Sequence, residues 1–176
     1  KQTMRYFHID TDQIGVPDPV ITGSEAHHII DVLRLKPGEQ IGLVDGSGTQ
    51  YAAAIQEIEN NRVKVTILSR QYANTESPIQ LAVAQAMLKS GKMDTLVRQL
   101  TELGINEFIP FFCERTVPQL NEKKRQERRR RWQTIAREAI KSCGRAKVPE
   151  IQPVTTLDGI IDASRDYDLK ISFWEE

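Results

Sequence analysis

The spacing of the apolar residues changes near Pro78, and this change constrains the fold more than any other feature of the sequence. Before Pro78 the apolar residues form short alternating runs separated by tight turns, which is typical of a small, partly closed β-barrel. After Pro78, strand-like runs alternate with stretches of helical periodicity, which predicts a parallel sheet covered by helices. We therefore predict an α/β protein with two domains, residues 1–72 and residues 73–176.

The first half contains one helix among its short strands. Thr22 and Glu25 have the spacing of a capping box, in which each side chain bonds the backbone N–H of the other residue. The apolar residues that follow recur at intervals of three and four, which predicts a helix over Gly23–Leu33. The predicted strands are Arg5–Ile9, Pro19–Ile21, Gln40–Val44, Thr49–Ile55 and a run through Val63, Val65 and Ile67.

The helix predicted over Glu122–Cys143 has the clearest periodicity of the second half. Its core-facing residues are Trp132, Ile135, Ala136, Ala139, Ile140 and Cys143. The other predicted elements are the strands Ile79–Ala84, Glu107–Phe112, Ile151–Val154 and Leu169–Trp174 and the helices Lys92–Leu103 and Leu157–Ala163. A parallel sheet needs helices on both faces. Because no helix follows the last strand, we expect the chain to be a fragment of a longer protein.

The charge of the chain is balanced overall but unevenly distributed. Lys and Arg total 24, as do Asp and Glu. Residues 114–147 carry 12 basic and 4 acidic side chains, whereas residues 148–176 carry 2 and 7. A neutral protein with one basic segment can bind a polyanion locally and stay soluble. A solvated, charged helix face is the alternative interpretation.

Several classes of protein are disfavoured by what the sequence lacks. Its apolar runs are too short for a membrane-spanning helix, so we expect no membrane partner. Cys113 and Cys143 have no Cys-x-x-Cys spacing, which fits a reducing cytosol. No Cys, His or carboxylate cluster has the spacing of a metal site, so we expect no metal. The absence of both common phosphate-loop motifs disfavours ATPases and ordinary dinucleotide enzymes.

Two short segments of the second half could hold an anion. Lys89 and Lys92 flank the predicted start of a helix, where free backbone N–H groups can bind phosphate. A plain exposed turn is the alternative there. Arg115 follows the predicted strand Glu107–Phe112, and ligand sites of parallel sheets lie at the carboxyl ends of strands. Its guanidinium could grip a phosphate or an oxyanion, or it could form a structural salt bridge with Glu114.

The predicted helix Glu122–Cys143 is strongly basic. It carries the run Arg128–Arg131, and a stripe away from its core face consists of Thr134, Arg137, Lys141 and Arg145. Such a stripe can bind a nucleic-acid backbone by releasing counterions. Because the stripe shares the second half with Arg115 and two lysines, we favour RNA over a solvated face.

The order and spacing of several motifs resemble the RsmE-type methyltransferases of bacteria, which act on small-subunit ribosomal RNA. In the first half the motifs are Arg5-Tyr6-Phe7, His28-x-x-x-Val32-Leu33-Arg34-Leu35-x-Pro37-Gly38 and Asp45-Gly46. In the second half they are Lys89-x-Gly91-Lys92-Met93-Asp94, Thr101-Glu102-Leu103-Gly104, Glu114-Arg115-Thr116-Val117, Arg131-Trp132-x-x-Ile135-Ala136-x-Glu138-Ala139 and Gly144-Arg145-x-x-Val148-Pro149.

The resemblance implies a PUA-like β-barrel followed by a SPOUT domain, an α/β sheet with a C-terminal trefoil knot. It implies a cytoplasmic homodimer that uses S-adenosylmethionine to methylate N3 of one uridine in 16S rRNA. Family members form the knot and hold the methyl donor with glycine-rich loops, and we expect these loops after Glu176. We therefore predict no cofactor-binding residue within the chain.

On the resemblance, we predict roles for individual residues. Arg115 is the first candidate to contact the substrate oxyanion or a phosphate, and Arg145 is the second. Glu102 could orient one of them or act as a base, or it could be a buried structural carboxylate. The predicted RNA contacts are Arg34 and Lys36 in the barrel and Lys89, Lys92, Arg128, Arg131, Arg137 and Lys141 in the second half. A non-catalytic RNA-binding module is the alternative function.

Overall fold

The structure is a computed structural model that describes residues 4–72, 76–113 and 121–173. The chain divides into two compact units, and each takes in two stretches of sequence. The first unit comprises Lys1–Ile79 and Ala136–Val148, and the second comprises Gln80–Ile135 and Pro149–Glu176. The domain boundary that we predict after residue 72 stays a prediction.

The first unit is built on a five-stranded sheet. Its strands are β1 (Tyr6–His8), β2 (Val20–Ile21), β3 (Gln40–Val44), β4 (Thr49–Glu59) and β5 (Arg62–Tyr72), in the order β1-β3-β4-β5-β2. β1 pairs parallel with β3, and the other pairs are antiparallel. Two register irregularities interrupt the long β4–β5 hairpin. Such bulges bend and twist a sheet. The curled sheet agrees with the small, partly closed barrel predicted from the sequence.

Asn60 and Asn61 form the tight turn of this hairpin. Both have positive φ angles, 47° and 59°. A two-residue turn with two left-handed residues matches the twist of the flanking strands, and Asn tolerates that conformation better than most residues. The turn therefore fixes the register from Glu59 and Arg62 onward.

The predicted helix of the first half is present, but its predicted cap is wrong. Helix α1 (Gly23–His27) continues as a π-helical turn over His28–Val32. The Thr22 side chain makes no capping bond. The Glu25 carboxylate instead accepts hydrogen bonds from the backbone N–H of His8 at 3.3 Å and from Nζ of Lys141 at 2.5 Å. Because both partners are charged, the bond to the lysine is stronger than the bond to a backbone N–H that the capping box offers this carboxylate.

The core of the first unit lies between the sheet and helix α1. Apolar residues from all five strands and the helix are buried there together, and alternate residues of each strand point into it. They are Phe7, Ile9, Ile21, Ala26, Ile29, Ile41, Leu43, Tyr51, Ala53, Ile55, Val63 and Val65. A smaller cluster of the same unit consists of Val44, Ile140 and Ala146.

The second unit contains the predicted parallel sheet. Its strands are β6 (Ala82–Ala86), β7 (Glu107–Phe112), β8 (Glu150–Ile151) and β9 (Thr155–Thr156), and all three neighbours pair parallel with β7. The helices are α2 (Ser90–Leu103), α3 (Glu122–Cys143) and α4 (Leu157–Ala163). The fold class predicted from the sequence is confirmed. Within the described part of the chain, no helix combines the length and the apolarity needed to cross a bilayer.

Three predictions about the second half are wrong in detail. The segment 169–173 forms no strand, and its apolar side chains are exposed, with Phe173 at 93%. No described strand pairs with this segment, and a strand needs a partner for its backbone N–H and C=O groups. Trp174, the last residue of the predicted strand, lies outside the described residues. Of the predicted strand Ile151–Val154 only Ile151 lies in a strand, β8, and β9 begins after the predicted range, at Thr155. Cys143 is exposed rather than in the core.

Asp94 joins α2 to α3 inside the second unit. Its Oδ1 accepts a hydrogen bond from Nε1 of Trp132 at 3.1 Å. Its Oδ2 accepts from Nε of Arg131 at 2.9 Å and lies 2.8 Å from Nη2 of the same residue. Trp132 is buried and packs edge-to-face on Phe108, with 6.3 Å between the ring centroids. Asp94 therefore satisfies the polar edge of the largest core side chain.

We predict that Asp94→Ala lowers the free energy of unfolding by about 2 kcal/mol, because the buried indole N–H loses its acceptor. Arg131→Ala, which removes only the exposed partner of the same carboxylate, should cost less than about 1 kcal/mol. Urea unfolding followed by circular dichroism measures both values. Equal losses in the two variants would show that the indole bond adds nothing.

Candidate nucleic-acid interface

The carboxyl edge of the parallel sheet is where a ligand site is expected in such a fold. Strand β6 ends there at Ala86, and three residues later Lys89 caps helix α2. Lys89 and Lys92 are both exposed at this helix N-terminus, beside the backbone N–H groups of its first turn. The structure thus brings the two predicted lysines to one place, at the edge where ligands bind.

Arg115, the first catalytic candidate, lies outside the described residues, as do Glu114 and Thr116. The chain on either side is described. Cys113 directly follows the carboxyl end of β7, and Asn121 directly precedes α3. The segment that carries Arg115 therefore leaves the sheet at its carboxyl edge.

Glu102 is placed away from this edge. It is exposed, so it is not the buried structural carboxylate that we considered as its alternative role. It lies in the last turn of α2, whereas Lys89 lies at the first. A helix of 14 residues is about 20 Å long, so the structure does not bring Glu102 together with the two lysines.

Arg145, the second catalytic candidate, is held in an internal ion pair. Its side chain is 5% exposed, and its Nη2 lies 2.6 Å from Oε2 of Glu76. Oε1 of Glu76 also accepts from the backbone N–H groups of Ala146 and Lys147, at 3.3 and 3.2 Å. Burial of the carboxyl group opposes its ionisation, but the bonds from Arg145 and the two backbone groups outweigh burial and lower the pKa of Glu76.

We predict that Glu76→Gln destabilises the protein by about 3 kcal/mol at neutral pH, because Arg145 keeps its charge and loses its ionised partner. The folded-state pKa of Glu76 lies below its ordinary value of 4.5, so the pair stabilises the fold above that pH. Its contribution is lost as the pH falls through the folded-state pKa. Chemical unfolding at pH 7 and below pH 4 measures the difference between wild type and variant, which should shrink in acid. A difference that does not change with pH would contradict this account.

The predicted RNA-binding residues of α3 differ in whether a carboxylate already forms an ion pair with them. Lys141 is 12% exposed, and its Nζ contacts both Glu25 and Glu138. Burial alone would lower the pKa of Lys141, but these two carboxylates outweigh it and raise the pKa. Arg131 is 67% exposed although Asp94 binds it. Arg137 is exposed and Arg128 is half-buried, and neither forms an ion pair with a described residue.

The two predicted contacts of the barrel, Arg34 and Lys36, are both exposed just after the π-helical turn. Arg34 adopts a left-handed backbone conformation, with φ at 54°. For a residue other than Gly or Asn that conformation costs about 1–2 kcal/mol. The surrounding loop therefore holds the backbone of this exposed arginine in an unfavourable conformation, and an RNA contact for its side chain stays a prediction.

A groove on the first half of α3 brings Arg129 and Arg130, from the predicted basic run, together with Arg125, which the sequence did not single out. It has a volume of about 470 Å³ and lies between the helix and the segment that joins β8 to β9. Helix residues on one wall face Pro153 and Val154 on the other, and those helix residues are Arg125, Gln126, Arg129 and Arg130. The spacing of Arg125 and Arg129, four residues apart on one helix face, is the signal that could have found them.

A second cavity, of about 530 Å³, is lined by groups that already satisfy each other. The Glu107 carboxylate accepts hydrogen bonds from Nε2 of Gln152 at 2.5 Å and from the hydroxyl of Tyr167. The bond to Glu107, together with burial, raises the pKa of Tyr167 to about 12. Tyr167 therefore stays protonated at neutral pH, and this cluster is structural.

Comparison with known proteins decides the family. Residues 75–176 match the family model described as an RNA methyltransferase domain, and residues 21–68 match an RNA methyltransferase PUA domain. The chain is 32% identical to ribosomal RNA small subunit methyltransferase E of Bacillus subtilis, over 98% of this chain and 68% of that protein. The chain belongs to the ribosomal RNA small subunit methyltransferase E family. The resemblance found in the sequence is confirmed.

Solved structures of methyltransferases, one of them named as a methyltransferase E, have the same fold. A ribosomal RNA small subunit methyltransferase E from Neisseria gonorrhoeae, bound to S-adenosyl methionine, superposes with a TM-score of 0.81 and 27% identity, over 90% of this chain and 65% of that one. A putative methyltransferase from Legionella pneumophila, in complex with the same cofactor, gives 0.83 and 25%, over 94% and 67%. This chain spans about two thirds of the length of these relatives.

Proposed function

We propose that the full-length protein transfers the methyl group of S-adenosylmethionine to N3 of a uridine in 16S rRNA of the small ribosomal subunit. The observation that carries the proposal is the similarity to the Bacillus subtilis methyltransferase E, which extends over 98% of this chain. As part of the same proposal, the protein acts in the cytoplasm and forms a homodimer.

The chemistry of the target atom sets what the protein must do. N3 lies on the Watson–Crick edge of uracil, so the base must be unpaired or extruded before it can react. The N3–H is a weakly acidic imide, and loss of its proton spreads negative charge onto the two flanking carbonyl oxygens. A guanidinium held beside those oxygens stabilises that charge. The donor supplies an electrophilic methyl group on a sulfonium ion.

Arg115 is the residue that we assign to the developing oxyanion. The segment that carries it departs from the carboxyl end of β7, and Lys89 and Lys92 lie at the same edge of the sheet. Those lysines and the helix N-terminus are suited to a backbone phosphate of the substrate. Arg145 is bound to Glu76, so we give it a structural role first. We assign no donor contact within the chain.

The barrel and helix α3 supply the remaining RNA contacts in this proposal. Arg34 and Lys36 are exposed in the first unit, and Arg128, Arg131 and Arg137 extend from α3. Such side chains bind folded RNA through its backbone and shape rather than through its base sequence. The fold thereby positions the RNA, while the substrate uridine is selected by being accessible.

The proposal predicts that the full-length protein methylates small subunits from a strain that lacks the modification. With isotopically labelled donor, the label should appear as N3-methyluridine when the 16S rRNA is digested and analysed by mass spectrometry. Arg115→Ala should lower turnover about 100-fold or more, which is typical for the loss of one oxyanion donor, while the unfolding midpoint stays unchanged.

Arg98→Ala, a matched loss of one exposed arginine outside the proposed site, should keep wild-type turnover. Unlabelled rRNA together with intact RNA binding would refute the enzyme and favour the non-catalytic RNA-binding module. If Arg115→Ala keeps wild-type turnover, the oxyanion role that we assign to Arg115 is wrong, while the proposed activity stands.

A further inference from the structure

We propose that the groove on the first half of α3 binds backbone phosphates of the RNA substrate. This inference rests on the proposed function, because it takes RNA as the ligand, and it adds a site that the basic stripe predicted from the sequence does not contain. Three arginines, Arg125, Arg129 and Arg130, line the groove.

Arg125 is directed by an aromatic ring at the edge of the sheet. Its guanidinium carbon lies 5.0 Å from the centroid of the Phe112 ring, within the range of a cation–π contact. Phe112 is the last residue of β7. The contact therefore holds this arginine at the carboxyl edge, beside the point where the segment with Arg115 leaves the sheet.

Within the described part of the chain, one donor of Arg129 forms an internal hydrogen bond. Its Nε donates a hydrogen bond of 2.7 Å to the backbone carbonyl of Ile151, the last residue of β8. A guanidinium has five N–H donors, and the four on its terminal nitrogens form the fork that binds a phosphate or carboxylate in bidentate fashion. An arginine whose stem is already ordered loses less entropy when it binds an anion.

Arg130 adds an exposed charge at the same groove, and no described carboxylate forms an ion pair with it. Among the described residues that line the groove Glu122 is the one acidic residue, so these residues carry a formal net charge of +2, from three arginines and one glutamate. The amides of Gln126 and Gln133 supply further polar groups. The lining suits a negatively charged, hydrogen-bonding ligand.

Two cations of the predicted stripe are less suited to RNA than the arginines of the groove. Lys141 and Arg145, which belong to the stripe, already have carboxylate partners, Glu25 and Glu138 for the first and Glu76 for the second. A buried cation that neutralises an internal carboxylate is not available to release counterions from RNA. The described internal hydrogen bond of Arg129 goes to a neutral backbone carbonyl, so no carboxylate neutralises its charge there.

The position of the groove favours an RNA phosphodiester as its ligand over a carboxylate of another protein. It lies at the carboxyl edge of the sheet, where Phe112 at the end of β7 contacts Arg125. Parallel sheets bind their ligands at this edge, and an RNA strand whose uridine reacts there has further backbone phosphates on either side. A volume of about 470 Å³ is within the range of pockets that hold small ligands, so it accommodates a phosphate with its ribose.

The test is the salt dependence of RNA binding by the full-length protein. Affinity for 16S rRNA is measured over a series of KCl concentrations for wild type, Arg130→Gln and the double variant Arg129→Gln/Arg130→Gln. Because each lost phosphate contact lowers the slope of log affinity against log salt by about one, we expect slopes lower by about one and about two. At low salt the double variant should bind at least tenfold more weakly.

The matched control is Arg62→Gln/Arg98→Gln, which removes two exposed arginines outside the proposed binding sites. Its slope should equal that of the wild type. Arg130→Gln breaks no internal ion pair of a described residue, so it keeps the test valid if the double variant unfolds. Slopes of the groove variants that equal the control would overturn the proposal.

Two further measurements separate this proposal from neighbouring ones. Polyglutamate should not displace the RNA from the wild type, and displacement that requires Arg129 and Arg130 would assign the groove to an acidic protein partner instead. Methylation of rRNA by the wild type is assayed in parallel. Normal methylation with unchanged slopes overturns the groove alone, whereas altered slopes without any methylation support the groove and overturn the enzyme.

Discussion

A cation that is taken out of water must find an acceptor inside the protein, and this constraint decides what each basic residue of α3 and of the turn that follows it can do. Arg145 is almost fully buried and is bound by Glu76. Lys141 is bound by two carboxylates. The helix carries far more positive charge than negative, and its buried cations use the carboxylates within reach. What remains for a ligand is the positive charge that faces solvent or the groove.

The parallel sheet supplies the second constraint. Strand β7 lies between β6 on one side and β8 and β9 on the other, so the ends of all four strands are ordered relative to one another. The start of α2 and the arginine groove both lie toward the carboxyl ends of these strands. The fold therefore concentrates positive charge at the edge where parallel sheets bind ligands, without using a phosphate-loop motif.

Much of the fold follows from local patterns in the sequence. The predicted bounds of α3, α4 and β7 agree with the structure residue for residue. Helical periodicity and strand alternation depend on neighbours a few residues apart, so a single sequence displays them. The turn at Asn60 and Asn61 is predictable for the same reason.

The errors come from interactions between residues that are far apart in the chain. Glu25 and Lys141 are 116 positions apart in the sequence, and Glu76 and Arg145 are 69 positions apart. A pattern among neighbouring residues therefore predicts neither ion pair. The sequence spacing predicts a free stripe with Lys141 and Arg145 because it shows positions along one helix and not their partners, and Arg145 lies just beyond the end of α3. The segment 169–173 has the composition of a strand but has no strand partner among the described residues, and composition alone does not supply one.

The central claim is that the internal bonds of the protein divide its arginines into structural ones and ones that meet RNA. Covalent modification of arginine by phenylglyoxal, mapped by mass spectrometry with and without 16S rRNA, tests it directly. Arg145 should stay unmodified both with and without RNA. Arg130 should react with phenylglyoxal in the free protein and be protected when RNA is bound. Modification of Arg145 in the folded free protein, or equal reactivity of Arg130 in both states, would contradict the account.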